Sequence, residues 1–196
     1  MLTRLRPAAS KILARLAAPL AVLPADAYTA AGLAATAPYL YAAAKGMPLA
    51  AALLLLASAA LDALDGAVAR LRGEAGPRGA YLDSLLDRVA DAAYAAGLIL
   101  LGHPPLLVYA FATAALLISY ARAKYESLTG ESMEGLGLME RGDRVIALAA
   151  TVALTGYNRN ASTILLEALT ILAWLTFLQR LVAGYRRLPR AKTGNS

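Results

Sequence analysis

Residues Asp62 to Asp87 place four aspartates at helical spacings between apolar runs, an arrangement that few folds accept. The stretch reads D-A-L-D-G-A-V-A-R, eight further residues, then G-A-Y-L-D-S-L-L-D. On a helix Asp62 and Asp65 are i and i+3 and share a face, with an axial offset of about 4.5 Å. Asp83 and Asp87 are i and i+4 and share a face of the next helix. If the two helices pack antiparallel through a short turn over 73–79, the four carboxylates converge on one pocket. Like charges at that density stay ionised in a low-dielectric site only when cations sit among them; otherwise some are protonated. Hard oxygen ligands point to Mg2+ or Mn2+, with two ions expected.

The chain has 196 residues, 59% of them hydrophobic, and no cysteine. A water-soluble domain of that length has too little core to bury such an apolar fraction, so an integral membrane protein is the expected class. The lack of cysteine excludes disulfides and thiolate-bound haem or zinc. Residues 1–23 set Arg4, Arg6, Lys11 and Arg15 among leucines and Ile12, which predicts a basic amphipathic helix lying on an anionic membrane face. The same residues imitate a signal peptide, but Pro19 and Pro24 interrupt the run.

Six spans follow, over 27–44, 47–61, from about 79 to 101, 106–120, from 145 to 154, and 161–178, with Asp26 read as the N-cap of the first. Several fall short of the roughly 20 residues that a crossing needs, so their helices must extend into the polar motifs. The expected fold is therefore all-α: an amphipathic helix over 1–23, a six-helix membrane domain over 24–187, and a basic polar tail over 188–196. His103, in a His-Pro-Pro turn, reads as surface punctuation. Glu167, inside the last span, has no assigned role.

The net charge of +6 does not indicate nucleic acid, because its distribution follows the spans. Of the 19 Lys and Arg, Lys45 and Arg159 lie in turns on one side and the other 17 lie on the side of both termini. That asymmetry marks the basic side as cytoplasmic, and the acidic motif lies there too.

The aspartate stretch resembles the signature of the CDP-alcohol phosphotransferases, D-x-x-D-G-x-x-A-R, eight residues, G-x-x-x-D-x-x-x-D, at every fixed position: Asp62, Asp65, Gly66, Ala69, Arg70, Gly79, Asp83 and Asp87. The resemblance implies a membrane enzyme, a homodimer, in which an alcohol attacks the lipid-proximal phosphorus of a CDP-lipid and CMP leaves. It implies that Asp62, Asp65 and Asp83 hold metal and that Asp87 is the general base, also touching the second ion. It further implies that Asp62, Asp65, Gly66, Ala69, Arg70 and Gly79 form the CDP-lipid site, with Arg70 able to pair with phosphate. Asp26, Thr29 and Gly32 match loosely the family's first-helix N-x-x-T-x-x-G.

A second stretch, Ser119-Tyr120-Ala121-Arg122-Ala123-Lys124-Tyr125-Glu126 followed by Glu140-Arg141-Gly142-Asp143-Arg144, is similar to segments of the branch that uses inositol 1-phosphate. That similarity implies that Ser119, Arg122, Lys124, Arg141 and Arg144 bind the phosphate of a phosphorylated polyol acceptor. Lys124, where Arg is usual, Gly142 and a longer intervening loop depart from the branch pattern. Glycerol 3-phosphate is the alternative acceptor. A small cation or proton transporter and a structural lipid-binding bundle are the alternative classes.

Overall fold

The computed structural model describes residues 15, 17–19, 21–133 and 135–188. The amphipathic helix expected over 1–23 lies mostly outside them, as does the tail after residue 188. Among the described residues the architecture is entirely helical: α1 (Ala25–Ala34), α2 (Thr36–Ala44), α3 (Pro48–Arg72), α4 (Pro77–Leu100), α5 (Pro105–Thr129), α6 (Arg141–Thr155) and α7 (Arg159–Arg187). The first two form one bent rod. Pro38 has no N–H to offer the carbonyl of Ala34, and the helical ladder breaks at Ala35.

The helix ends follow their sequence. Pro48, Pro77 and Pro105 each open a helix, where the missing N–H costs nothing. Gly73 closes α3 in the left-handed conformation at φ 69°, with Glu74 N–H returning to the Ala69 carbonyl at 2.9 Å. Glu140 and Asp143 form a capping box at the start of α6, and Asn158 caps α7. Asp26 is not the cap of α1: the helix begins at Ala25, no side chain of its own segment caps it, and Glu74 Oε2 accepts the Ala25 N–H at 3.1 Å instead.

Helices α3, α5 and α7, with 25, 25 and 29 residues, are long and apolar enough to cross a membrane. Leu106, Ile164 and Ile171 project outward, as an apolar solvent allows. The core is built of small residues and aromatics, with Tyr39, Ala43, Ala51, Leu55, Leu98, Leu166 and Ala173 all sealed. Helix α3 is central and packs against α1, α2 and α6, whereas α3 and α4 meet little along their length. The two motif helices are thus not the simple antiparallel pair that their short connection suggests, because α2 packs against both.

A buried polar chain ties these layers together. Tyr39 Oη donates to the Tyr94 carbonyl at 2.7 Å, Tyr94 Oη to Ser58 Oγ at 2.7 Å, and Ser58 Oγ to the Gly32 carbonyl at 2.6 Å. At Gly32 a Cβ would come within 3.2 Å of the Asp62 nitrogen, so α1 lies directly against the backbone of the first motif aspartate. Far from that motif, His103 is buried rather than superficial: Nε2 is 3.0 Å from Thr155 Oγ1 and 3.3 Å from Ser162 Oγ, joining the α4–α5 turn to α6 and α7. Burial, with Arg159 nearby, holds its imidazole below the usual range. Glu167 lies exposed on the outer face of α7.

A Cβ on Gly97 would overlap the Tyr39 hydroxyl. Gly97→Ala is expected to destabilise the protein by about 1–3 kcal/mol, as overpacking does, and thermal unfolding in detergent should show a Tm several degrees below wild type. An unchanged Tm would mean that α2 and α4 do not press together here.

Candidate active site

Helix α3 continues to Arg72, so Asp62 and Asp65 lie inside it rather than at its end. From α4, Asp83 and Asp87 face them, and one oxygen from each of Asp62, Asp83 and Asp87 lies within 4.8 Å of the others. Asp65 stands apart from this trio. It is buried and accepts a hydrogen bond from Thr29 Oγ1 at 2.6 Å, which ties α1 to α3.

The negative charge is met by an arginine from a third helix. Arg141, the first residue of α6, places Nη1 2.6 Å from Asp62 Oδ2 and 2.6 Å from Asp87 Oδ1, with Nε 3.3 Å from Asp91 Oδ1. The approach to Asp87 Oδ1 is close but poorly aligned, so that buried oxygen has no hydrogen bond, and neither does Arg141 Nη2. Arg88 covers the other oxygen of Asp87 at 2.9 Å. An oxygen-only trio containing an orphaned carboxylate oxygen suits a hard divalent cation.

Beside the trio a cavity of about 430 Å³ opens between the start of α1, the end of α3 and the start of α4. Gly66, Ala69, Arg70 and Gly79 line it with Asp65 and Asp83. A Cβ on Gly79 would meet no neighbour within 4 Å, so helix packing does not explain its small size. Arg78 and Glu74 also line the cavity. Sequence reasoning passed over both because they fall in the variable stretch of the signature; the only signal was their place beside Gly79 and Gly73.

The expected acceptor residues do not all gather in one place. Arg144 is buried, with Asp91, Arg180, Arg141 and Arg88 within electrostatic reach. Ser119 is buried and donates to the Ala115 carbonyl at 3.2 Å. Arg122 pairs with Glu126 at 2.9 Å, one turn along α5. Lys124 is exposed. Arg141 is drawn to the acids. Arg180, unremarked in the sequence, is buried in α7 and donates to the carbonyls of Leu136 and Ile118 at 2.9 and 3.0 Å, pinning the loop before α6 against α5.

Carboxylates that converge beside a glycine-lined cavity in an apolar helical bundle can hold a divalent cation against a phosphorylated substrate, the arrangement of a phosphotransferase. Residues 22–182 match the CDP-alcohol phosphatidyltransferase family, and the chain belongs to that family. It is 47% identical over 135 residues to an archaetidylinositol phosphate synthase of Aeropyrum pernix, covering 69% of each chain. It is 37% identical to one from Methanothermobacter thermautotrophicus, covering 96% of each. Among solved structures it resembles the phosphatidylinositol phosphate synthase PgsA1 of Mycobacterium tuberculosis at 26% identity. With CDP-DAG bound the TM-score is 0.77, covering 89% of this chain and 94% of that one; in complex with manganese and citrate it is 0.76, covering 90% and 88%.

The Thr29–Asp65 bond yields a prediction. Thr29→Val keeps the shape but leaves a buried carboxylate oxygen short of a donor, at a cost of about 1–3 kcal/mol. A tenfold or greater fall in kcat/KM for the CDP-lipid is expected, with Thr29→Ser close to wild type. Equal loss in both variants would locate the effect in packing rather than in the hydroxyl.

Proposed function

We propose that this enzyme transfers the phosphatidyl or archaetidyl group of a CDP-lipid to inositol 1-phosphate, releasing CMP, in phospholipid biosynthesis. The observation that carries the reading is the meeting of an oxygen-only trio, Asp62, Asp83 and Asp87, with the cation Arg141, near which Arg144 lies buried. One set suits a metal-bound pyrophosphate; the other suits a phosphorylated acceptor that bare aspartates would repel. The names of the archaeal relatives, and of the mycobacterial structure, support the same acceptor.

When bound, divalent metal neutralises charge on the pyrophosphate. Asp62, Asp83 and Asp87 would hold it with Asp65 beside them, and Asp87 would also take the proton of the attacking hydroxyl. Gly66, Ala69 and Gly79 leave room for the nucleotide, and Arg70 meets its phosphates. Arg144 and Arg141 hold the acceptor phosphate; Ser119 and Arg122 join them only by leaving their contacts with Ala115 and Glu126. Lys124, exposed on α5, takes a lesser part than the sequence pattern implies. In this reading the chain crosses the membrane six times, which exposed leucines and isoleucines support, and the site lies on the cytoplasmic side, which the distribution of Lys and Arg supports.

With Mn2+ and a CDP-lipid, inositol 1-phosphate should release CMP, glycerol 3-phosphate should do so poorly, and inositol and serine should not. Arg144→Ala should raise the KM for the acceptor roughly ten- to a hundredfold, the loss of one charge-assisted bond. Asp87→Asn should abolish turnover while retaining much of the affinity for the CDP-lipid, because a base acts mainly in the transition state. Preferred use of glycerol 3-phosphate would overturn the choice of acceptor.

The chain has no cysteine, so single cysteines report topology cleanly. In intact cells, cysteines at Gly46 and Asn158 should react with an impermeant thiol reagent and one at Gly76 should not. The reverse pattern would sink the cytoplasmic assignment.

A further inference from the structure

Asp91 is given no role by the signature, yet it is one of three carboxylates that share Arg141. It lies one turn beyond Asp87 on the same face of α4, and its oxygens are not part of the Asp62, Asp83 and Asp87 trio. The Arg141 head is divided between them. Nη1 lies between Asp62 and Asp87, Nε reaches Asp91 at 3.3 Å, and Nη2 is buried without a partner.

Nη1 lies 2.6 Å from oxygens of both Asp62 and Asp87. A hard divalent ion held by the same carboxylates would need the space that Nη1 fills. Two cations cannot share it, so an ion that binds the trio displaces Nη1. The contact with Asp91 is made by the other edge of the guanidinium and can persist through the exchange.

We propose that Asp91 is the positioning residue of this site: it retains Arg141 when a divalent ion takes the trio, so that one arginine first neutralises the acids and then faces the acceptor. Held by Nε, the guanidinium swings its fork away from Asp62 and Asp87, and Nη1 and Nη2 become two donors for one phosphate. Metal loading and capture of the acceptor are therefore coupled through a single side chain. The second half of this inference rests on the acceptor proposed above.

The test is a double-mutant cycle read first by Mn2+ binding, using calorimetry or electron paramagnetic resonance on the full-length protein without substrates. Arg141→Gln removes the competing cation and should tighten Mn2+ by roughly three- to tenfold, the range for a partly solvated charge. Asp91→Asn should weaken Mn2+ by a similar factor, because the displaced Arg141 has lost its partner. In the Arg141→Gln background, Asp91→Asn should have almost no further effect. If Asp91→Asn weakened Mn2+ equally in both backgrounds, Asp91 would act as a bulk negative charge and the inference would fall. In turnover at saturating Mn2+, Asp91→Asn should raise the KM for the acceptor several-fold, a larger change than in the KM for the CDP-lipid. Coupled Mn2+ binding with an unchanged acceptor KM would instead overturn the acceptor role of Arg141, and with it the second half.

Discussion

Three carboxylates held against one guanidinium set the terms for the rest of this molecule. Asp62 comes from α3, Asp87 and Asp91 from α4, and Arg141 from α6, with 18%, 13%, 21% and 23% of their side chains exposed. Exposed ion pairs are worth about 0–1 kcal/mol, whereas stripping one partner from a buried pair costs about 3–5 kcal/mol. This cluster lies between those limits, near enough to the buried one that an uncompensated acid would not be tolerated. The position of α6 is therefore fixed by charge at one end as well as by packing along its length.

Around that cluster the bundle behaves as a frame of small residues and hydroxyls. Gly32 lets α1 lie on the backbone at Asp62, Thr29 reaches Asp65, and the Tyr39, Tyr94 and Ser58 chain locks α2 and α4 to the same region. These contacts hold the motif helices at a separation at which they touch little yet aim their acids at one point. The Glu74 carboxylate adds a tie from the α3–α4 loop to the first N–H of α1, fixing one wall of the cavity beside the trio.

Much of this was legible in the sequence, for physical reasons. Spacings of three and four fix which acids share a helical face, so the convergence of Asp62, Asp83 and Asp87 follows once the two helices are near one another. Family membership rested on eight fixed positions and needed no tertiary information. What stayed hidden depends on long-range packing. A proline-bent first rod packed against both motif helices gives no sign in a pattern of apolar runs. His103 looked superficial because its turn is polar and proline-rich, yet α6 and α7 close over it. Arg141 read as an acceptor ligand by its motif; only the fold shows that it also lies among the acids. Of the six crossings expected, three helices among the described residues have the length and apolarity of a span on their own, because α6 is short, the first rod is broken and α4 carries Arg78, Asp83, Asp87, Arg88 and Asp91.

The order in which the chain is made adds a consequence to the placement of Arg141. It lies 79 residues after Asp62, so the acids leave the ribosome and enter the bilayer well before their counter-charge exists. During that interval α3 and α4 hold carboxylates that only water and free ions at the interface can satisfy. The site's position at the rim of the bundle is thus a condition of its biogenesis as well as of substrate access. A chain stopped short of α6 would keep its acids facing solvent, unable to close.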